Sequence, residues 1–403
     1  MNPLNRCLNP QSVAVVGGAA AALAIKACQK LGFDGDLWAV NARREQLEGI
    51  PCYDSLESLP GVPDATLVAV SAEASIEIVA QLAALGAGGA VCYAAGFREA
   101  GNDDRHQRLL AAAGDMPMLG PNCHGFVNAL CGAALWPEWH GLTRVESGVA
   151  IFTGSGNLAV NISMQNRSLP IALLATVGNQ AMAGFEHLMA AVIDDQRITA
   201  IGIHIEGLSH LPLFVEMASR AAARGKPVIA LKTGRSEAGA KITLSHTATL
   251  AGPAELYDAL FERLGVGQVQ DLETFLEALR LLSVTGPLGG RRIASVSCSG
   301  GEASLIADLV QHTHLEFPEV TAKQEADLRQ TLNDYVSISN PLDYHTFIWG
   351  DRDRLRQTFT AMLQGQYNLT LLLLDYPEVA PGEENTWAIT GEAFAEACEQ
   401  TGQ

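Results

Sequence analysis

The chain has 403 residues, of which 48% are hydrophobic and 17% are charged, and it carries a formal net charge of −18 at pH 7. This length is sufficient for two or three globular domains with a large buried core. The net negative charge argues against nucleic acid and anionic membrane surfaces as partners, because both repel acidic proteins.

The spacing of the cysteines and the nature of the first residues indicate the cellular compartment of the protein. None of the eight cysteines forms a C-x-x-C pair, so the sequence indicates neither a zinc site nor a disulfide framework. The first residues are polar, and no apolar run reaches the ~18 residues of a membrane span. We therefore expect a protein of the reducing cytoplasm.

Three openings of the type strand, glycine turn, helix organise the chain at intervals typical of a domain. They are residues 13–18 (VAVVGG), 149–156 (VAIFTGSG) and 293–301 (IASVSCSGG). Apolar runs between them, such as those at 66–70 and 198–205, favour parallel sheets covered on both faces. We predict three α/β units, at residues 1–135, 146–285 and 290–403. The third is expected to be truncated, because a doubly wound domain would continue with another strand.

The first glycine turn invites a nicotinamide hypothesis, which fails on two counts. Residues 17–20 (GGAA) lack the spacing G-x-G-x-x-G, and the second predicted strand ends in Asn41 rather than in an acidic ribose acceptor. The open N–H groups of the turn, at a helix N-terminus, still suit a pyrophosphate. Arg43 and Arg44 could meet phosphates, although exposed arginines are more often solvated.

The second glycine turn, residues 153–157 (TGSGN), is also typical of phosphate binding. Its small residues let a phosphoryl group approach the N–H groups, and the helix dipole contributes about 0.3–1 kcal/mol. Alone this signal is weak, because many βα turns look like it. Glu206 follows the strand predicted at 198–205, and in isolation it would be interpreted as a solvated acid.

A histidine between two hydroxyl residues stands in the segment 245–252 (SHTATLAG). His246 could act as a nucleophile, because imidazole is largely unprotonated at neutral pH. On local chemistry alone, a helix-capping Ser245 followed by an ordinary surface histidine is favoured.

Together these motifs resemble NDP-forming acyl-CoA synthetases, relatives of succinyl-CoA synthetase. The runs 232–235 (KTGR) and 244–252 (LSHTATLAG) are similar to the family's phosphohistidine signature, with Ala248 where glycine is usual. The runs 16–19 (VGGA), 40–42 (VNA), 69–71 (AVS), 95–99 (AGFRE) and 120–125 (GPNCHG) resemble its CoA-binding domain, with a shorter first loop and two prolines missing. The implied fold class is α/β: a Rossmann-like CoA-binding domain followed by two flavodoxin-like, succinyl-CoA-synthetase-type domains with parallel sheets.

The resemblance also implies roles for individual residues. His246 would be phosphorylated, and Glu206 would accept its Nδ1 proton so that Nε2 attacks phosphorus. The phosphate would be bound by Gly154, Ser155, Gly156 and Asn157. Coenzyme A would be bound by Gly17, Gly18, Ala19, Asn41, Arg43, Ser71, Ala95, Gly96, Phe97, Asn122 and Cys123. For Cys123 a structural thiol is favoured over a nucleophile, and for His124, at the family's variable position, a surface histidine is equally open.

The implied activity is ligation of a small carboxylic acid to coenzyme A, driven by ATP through an acyl phosphate and a phosphohistidine. The family binds ATP and Mg²⁺ with an ATP-grasp domain, fused or on a separate beta subunit, and no P-loop or acidic magnesium cluster stands in this sequence. We therefore expect such a partner and a homo- or hetero-oligomer. Two alternatives stay open: a CoA-dependent lyase, in which ligation activates the acid for elimination, and a non-catalytic CoA-binding module.

The tryptophans of residues 135–140 could form the wall of an acyl pocket or pack between domains.

Overall fold

The computed structural model describes residues 3–241, 253–377 and 385–402. The chain divides into two compact units, Met1–Pro287 and Leu288–Gln403. The first unit contains two seven-stranded sheets, and the second contains a three-stranded sheet among its described residues. Most strand pairs are parallel, so the predicted α/β architecture with parallel sheets is confirmed. Within the described ranges, no helix is long and apolar enough to cross a membrane.

The first sheet has the strand order β3-β4-β2-β1-β5-β6-β7. Its strands are β1 Ser12–Gly17, β2 Asp36–Val40, β3 Gln46–Leu47, β4 Ile50–Tyr53, β5 Ala65–Ala69, β6 Ala90–Cys92 and β7 Met118–Leu119. Its helices are α1 Leu4–Leu8, α2 Ala19–Lys30, α3 Ala72–Leu85 and α4 Asp103–Ala113, with a 3₁₀ turn at Arg98–Ala100. Every residue of β1 is buried, because helices cover both faces of the sheet. The chain leaves β1 toward β2 on one side and later returns to β5 on the other, so a crevice opens at the carboxyl ends of these strands.

The second sheet has the strand order β14-β13-β12-β10-β11-β8-β9. Its strands are β8 Phe126–Asn128, β9 Ala134–Leu135, β10 Gly148–Thr153, β11 Ile171–Thr176, β12 Ile198–Ile205, β13 Val228–Lys232 and β14 Gly267–Val269. Its helices are α5 Gly156–Ser163, α6 Phe185–Val192, α7 Leu211–Ala223, α8 Ala254–Leu264 and α9 Leu272–Thr285. The buried, largely aliphatic runs of β10, β11 and β12 form its centre.

The strands β8 and β9 join the two sheets of the first unit. They lie within the predicted first domain, yet β8 pairs antiparallel with β11 of the second sheet. One hydrophobic core accordingly contains Val15 of the first sheet together with Leu135 and Phe152. The two sheets thus form one compact unit, while the domain limits at 135 and 146 stay a prediction from the sequence.

The second unit is built on a parallel sheet of order β16-β15-β17. Its strands are β15 Ile293–Ser297, β16 Leu342–Asp343 and β17 Leu369–Leu372, and its helices are α10 Gly300–Val310, α11 Ala322–Leu328, α12 Arg352–Leu363 and α13 Trp387–Thr401, with a 3₁₀ turn at Thr346–Ile348. The buried rings of Tyr344 and Phe359 meet edge to face in its core, with centroids 5.4 Å apart.

Candidate functional site

A polar cavity of about 250 Å³ opens at the carboxyl edge of the second sheet. It is lined by Asn122, His124, Gly154, Ser155, Gly156, Asn157, Gly178, Asn179 and Glu206. All four predicted phosphate-binding residues and Glu206 therefore lie together, because β10, β11 and β12 end at the same edge. A larger cavity, of about 400 Å³, lies at the opposite edge and contains none of the predicted residues. We take the carboxyl-edge cavity as the candidate site, since ligands of α/β sheets bind at that edge.

The phosphate loop connects β10 to α5. The Ser155 hydroxyl accepts the Leu158 N–H at 3.3 Å, and the Thr153 hydroxyl accepts the Ser155 N–H at 3.0 Å. The first N–H groups of α5 have no partner within the helix and point toward its N-terminal end. A methyl group added to Gly154 would lie 3.8 Å from the Glu206 carboxyl carbon. The small residues of the loop therefore leave space between the helix N-terminus and Glu206, where an anion is stabilised.

His204 connects three strand ends beneath this cavity. Its Nδ1 lies 2.8 Å from the Thr153 hydroxyl and its Nε2 lies 3.0 Å from the Thr233 hydroxyl. Burial, assisted by the positive charge of Lys232, lowers the pKa of His204 to about 4. A neutral histidine thus holds the ends of β10, β12 and β13 in place. The sequence assigned it no role, because its contacts depend on the register of strands that are distant in the chain.

The cations of the KTGR run are held at the same edge. Lys232 is buried, and its Nζ lies 4.9 Å from the centre of the Tyr257 ring. Burial lowers the pKa of Lys232, Arg235 lowers it further, and the charge of Glu206 opposes both. Arg235 makes two hydrogen bonds of 2.7 Å to the Asp258 carboxylate. The interaction of Lys232 with Glu206 places one cation of the run close to that carboxylate, while Arg235 is paired with Asp258.

A chain of polar contacts connects the first sheet to the cavity. Glu99 accepts the N–H groups of Gly96 and Phe97 on Oε1, at 2.6 and 3.2 Å. Its Oε2 accepts the Asn179 amide, and the Asn179 carbonyl oxygen lies 3.5 Å from the amide nitrogen of Asn122. Glu99 thereby fixes the loop predicted to bind coenzyme A against a turn that lines the cavity. Neither Glu99 nor Asn179 was among the predicted site residues, although Glu99 stands in the motif run 95–99.

The turn after β1 has its shape set by two residues. Gly17 has a φ of +144°, and a methyl group there would lie 2.4 Å from the Ala69 carbonyl oxygen. The side-chain amide of Asn41 donates to the Gly17 main-chain carbonyl at 2.7 Å, and the Asn41 side-chain oxygen Oδ1 accepts the Arg43 N–H at 3.0 Å. Gly18 faces open space at the start of α2. The open space at this turn is therefore at Gly18 and not at Gly17, whose hydrogen atoms face the neighbouring strand.

The remaining predicted CoA residues fall into two groups. Ser71, Ala95 and the Arg43 side chain are exposed and Gly96 is partly exposed, so these positions are accessible at the carboxyl edge of the first sheet. Phe97 and Cys123 are buried. Their side chains pack inside the protein, so any contact with coenzyme A would come from their main chain.

Cys123 has the surroundings of a structural thiol. Its Sγ donates to the Thr176 carbonyl at 3.0 Å and accepts the Gly125 N–H at 3.2 Å. Burial raises the pKa of this thiol to about 11, so the thiolate that a nucleophile requires is scarce at neutral pH. His246, with its neighbour Ala248, lies outside the described residues.

Two family models match segments of the first unit, and curated relatives match most of the chain. Residues 11–129 match a family model described as a CoA-binding domain, and residues 146–282 match a succinyl-CoA-ligase-like flavodoxin domain. The chain is 30% identical over 358 residues to the alpha subunit of the ADP-forming acetate–CoA ligase II of Pyrococcus furiosus, a match covering 84% of this chain and 76% of that subunit. It is 29% identical over 384 residues to a trans-feruloyl-CoA synthase of an unknown prokaryotic organism, covering 90% of this chain and 53% of the synthase. The chain thus spans about half the length of such single-chain relatives.

A solved structure shows the same fold. The dinucleotide-forming acetyl-coenzyme A synthetase 1 of Ca. Korarchaeum cryptofilum, in complex with phosphate and ADP, superimposes with a TM-score of 0.87 at 23% identity. The match covers 100% of this chain and 87% of that one. Together with the family models, it confirms the fold class predicted from the motifs.

Proposed function

Because the chain belongs to the family of ADP-forming acyl-CoA synthetases, we propose that it is the CoA-ligase part of such an enzyme. In this proposal a carboxylic acid, coenzyme A and ATP give an acyl-CoA, ADP and phosphate. The observation that carries the proposal is the cavity itself. It brings the phosphate loop, Glu206 and the Asn122 turn together at one sheet edge, next to the loops of the CoA-binding domain.

The proposed cycle moves one phosphoryl group and one acyl group. The ATP-grasp partner, with ATP and Mg²⁺, supplies the phosphoryl group to Nε2 of His246. The carboxylate of the acid then attacks that phosphorus, so that the P–N bond breaks and an acyl phosphate forms. Finally the thiol sulfur of coenzyme A attacks the acyl carbon, and the C–O bond to phosphate breaks.

The chain's own residues have separable tasks in this cycle. The first N–H groups of α5 and the small residues of the phosphate loop bind the phosphoryl oxygens. Glu206 orients the imidazole of His246 by accepting its Nδ1 proton. Lys232 and Arg235 offset the negative charge that collects when phosphate lies beside Glu206. Their own partners, Tyr257 and Asp258, keep them in place.

Coenzyme A is proposed to bind at the carboxyl edge of the first sheet. Its diphosphate fits the open space at Gly18, where the main chain of Ala19 begins α2. The exposed Arg43 stands close by, held through the Asn41 turn. The Glu99 contacts then connect this edge to the cavity where the thiol must arrive.

The acid and the partner are also proposals. The names of the relatives mention acetate, trans-ferulate and 4-hydroxybutyrate, so the family accepts acids of different size, and we propose a carboxylic acid without naming it. An ATP-grasp subunit or domain is the proposed partner, because the alpha subunit among the relatives is matched over most of its length. We also propose a cytoplasmic location; all eight cysteines are free thiols.

A reaction that needs no nucleotide tests the proposal. The chain alone should convert coenzyme A and an acyl phosphate to the acyl-CoA, measured by mass spectrometry with acetyl, butyryl and benzoyl phosphate. The His246→Ala variant should retain this step, because the phosphohistidine takes no part in it. If none of the three acyl phosphates yields acyl-CoA above the rate without protein, the chain is not the CoA-ligase part.

A further inference from the structure

His124 is a residue of the cavity to which the proposed cycle gives no task. It stands in the turn GPNCHG, two residues after Asn122, and its ring lines the cavity beside the phosphate loop and Glu206. A surface histidine, the alternative left open by the sequence, would have neither this position nor the contacts described next.

The imidazole ring of His124 is held from three sides. A methyl group at Gly156 would lie 2.6 Å from its Nδ1 and Cε1, so the ring packs directly on the first residue of α5. The buried Trp136 meets it edge to face, with centroids 5.6 Å apart, and Tyr93 lies on another side at 6.0 Å. Residue 156 is therefore required to be a glycine, because the His124 ring occupies the space of a larger side chain.

The two nitrogens of this ring differ in their surroundings. Nδ1 is buried against Gly156 and has no hydrogen-bond partner among the described residues. Nε2 is not among the buried atoms without a partner, and the ring lines the cavity, so Nε2 is the nitrogen that can reach a ligand there. Burial lowers the pKa of His124, opposed by the charge of Glu138, and the lowered pKa favours the neutral form of the ring. A neutral ring with its proton on Nε2 presents a single N–H donor to whatever occupies the cavity.

We propose that Nε2 of His124 donates a hydrogen bond to the carbonyl oxygen of the acyl group while coenzyme A displaces phosphate. This inference rests on the proposed function. As the thiol sulfur bonds to the acyl carbon, the carbonyl π electrons move to oxygen, and the donor stabilises that oxyanion. The electrons return when the C–O bond breaks and phosphate leaves with its pair. The thiol proton goes to solvent, and the His124 proton stays on the ring.

Different groups of the cavity suit the phosphoryl oxygens and the acyl oxygen, because these oxygens differ in charge. The helix N-terminus of α5 and the nearby cations suit the phosphoryl oxygens, which carry full negative charges. The acyl oxygen is uncharged until the thiol attacks, and a neutral donor binds it without attracting a second phosphate. His124 would thus be a catalytic residue for acyl transfer and not for phosphoryl transfer.

Two probes separate these steps in the full chain. Acetyl phosphate with coenzyme A reports acyl transfer, and phosphoramidate, which has no acyl group, reports phosphorylation of His246. The variants are His124→Ala, which removes the donor, and His124→Gln, which keeps an N–H group. His314→Ala, at an exposed position in the second unit, serves as control, and thermal melting checks that each variant is folded.

The expected pattern is specific to an acyl-oxygen donor. His124→Ala should lower kcat for acetyl-CoA formation by ~10²–10³, the usual effect of losing one oxyanion donor. His124→Gln should stay within about tenfold of wild type, and all variants should take phosphate from phosphoramidate at the wild-type rate. Unchanged acetyl-CoA formation in folded His124→Ala, or an equal fall in both reactions, would overturn the inference. If wild type forms no acetyl-CoA, the acyl phosphate that it does convert replaces acetyl phosphate in this test; if it converts none of the three acyl phosphates, the proposed function fails first, and the role of His124 fails with it.

Discussion

The turn after β1 and the turn after β10 have the same design, yet their glycines have different tasks. Each turn follows a buried parallel strand and opens a helix, and each contains two glycines. In the first, Gly17 makes room for the Ala69 carbonyl and Gly18 faces open space. In the second, Gly156 makes room for the His124 ring and Gly154 faces Glu206 across the cavity. In both turns one glycine therefore serves the packing of the protein, and the other leaves space for a ligand.

The surroundings of the two turns differ in charge. The carboxylate of Glu206 lies beside the turn after β10, and the charge of Lys232 interacts with Glu206 and with Arg235. Beside the turn after β1, the exposed Arg43 and Arg44 follow Asn41, whose amide bonds Gly17, and the side chains after Gly18 are mostly alanine. The first arrangement suits chemistry on a phosphoryl group, and the second suits binding of a diphosphate through main-chain N–H groups. Substitutions should accordingly affect turnover at one turn and affinity or folding at the other.

The largest effect is expected at Glu206. Glu206→Gln should leave the fold intact and reduce phosphorylation of His246 by ~10²–10⁴, because the group that orients the imidazole is lost. The phosphate taken up from phosphoramidate would be followed over time, with Glu138→Gln as a matched control at a partly buried carboxylate. Equal rates in wild type and Glu206→Gln would remove Glu206 from the mechanism.

The two glycines of the first turn should separate folding from binding. Gly17→Ala should destabilise the protein by about 3 kcal/mol, since a methyl group meets a main-chain carbonyl at a positive φ. Gly18→Ala should have a melting temperature close to that of wild type. It should weaken the binding of coenzyme A, because the diphosphate needs that space. Urea unfolding and calorimetric titration of coenzyme A measure the two effects. A stable Gly17→Ala protein that only loses coenzyme A would reverse the assignment of the two glycines.

Acid should destabilise the second sheet through His204. The folded-state pKa of this residue is about 4, whereas an unfolded histidine has a pKa near 6.5. Below pH ~6.5 His204 binds a proton in the unfolded chain but not in the folded protein. The free energy of unfolding therefore falls as the pH drops toward 4, by about 3 kcal/mol in total. Burial and the charge of Lys30 also lower the pKa of His140 to about 4. This histidine therefore lowers the free energy of unfolding further over the same pH range.

A substitution isolates the share of His204 in that acid response. His204→Gln cannot titrate, so its urea unfolding free energy should depend less on pH between 6.5 and 4.5 than that of wild type. The His140 contribution cancels in the difference between the two proteins. Identical slopes for wild type and His204→Gln would show that the imidazole is not held neutral.

The smallest expected effect concerns Arg43. Arg43→Ala should weaken the binding of coenzyme A about tenfold, the usual loss for one charge-assisted phosphate contact. The substitution should not change the melting temperature. Arg144→Ala is a suitable control, because that arginine lies away from the turn and bonds main-chain carbonyls instead. Calorimetric titration of both variants gives the comparison, and equal affinities would show that Arg43 is only a solvated surface charge.

Much of this arrangement could be predicted from the sequence, because parallel strands with glycine turns place their following residues at one edge. That rule brought Gly154, Ser155, Gly156, Asn157 and Glu206 to one cavity. It could not predict that β8 and β9 pair with the second sheet, since antiparallel edge pairing is decided by contacts between distant segments. Nor could it separate Gly17 from Gly18, because the distinction depends on where the Ala69 carbonyl lies.

The proposed cycle depends on phosphorylation of His246, and direct mapping of the phosphate tests it. Wild type and His246→Ala would be incubated with ³²P-labelled acetyl phosphate, and the labelled peptide would be identified by mass spectrometry after digestion at alkaline pH. We expect an acid-labile, base-stable label on His246 in wild type and no label in His246→Ala. A label of equal intensity on the His246→Ala variant would contradict it.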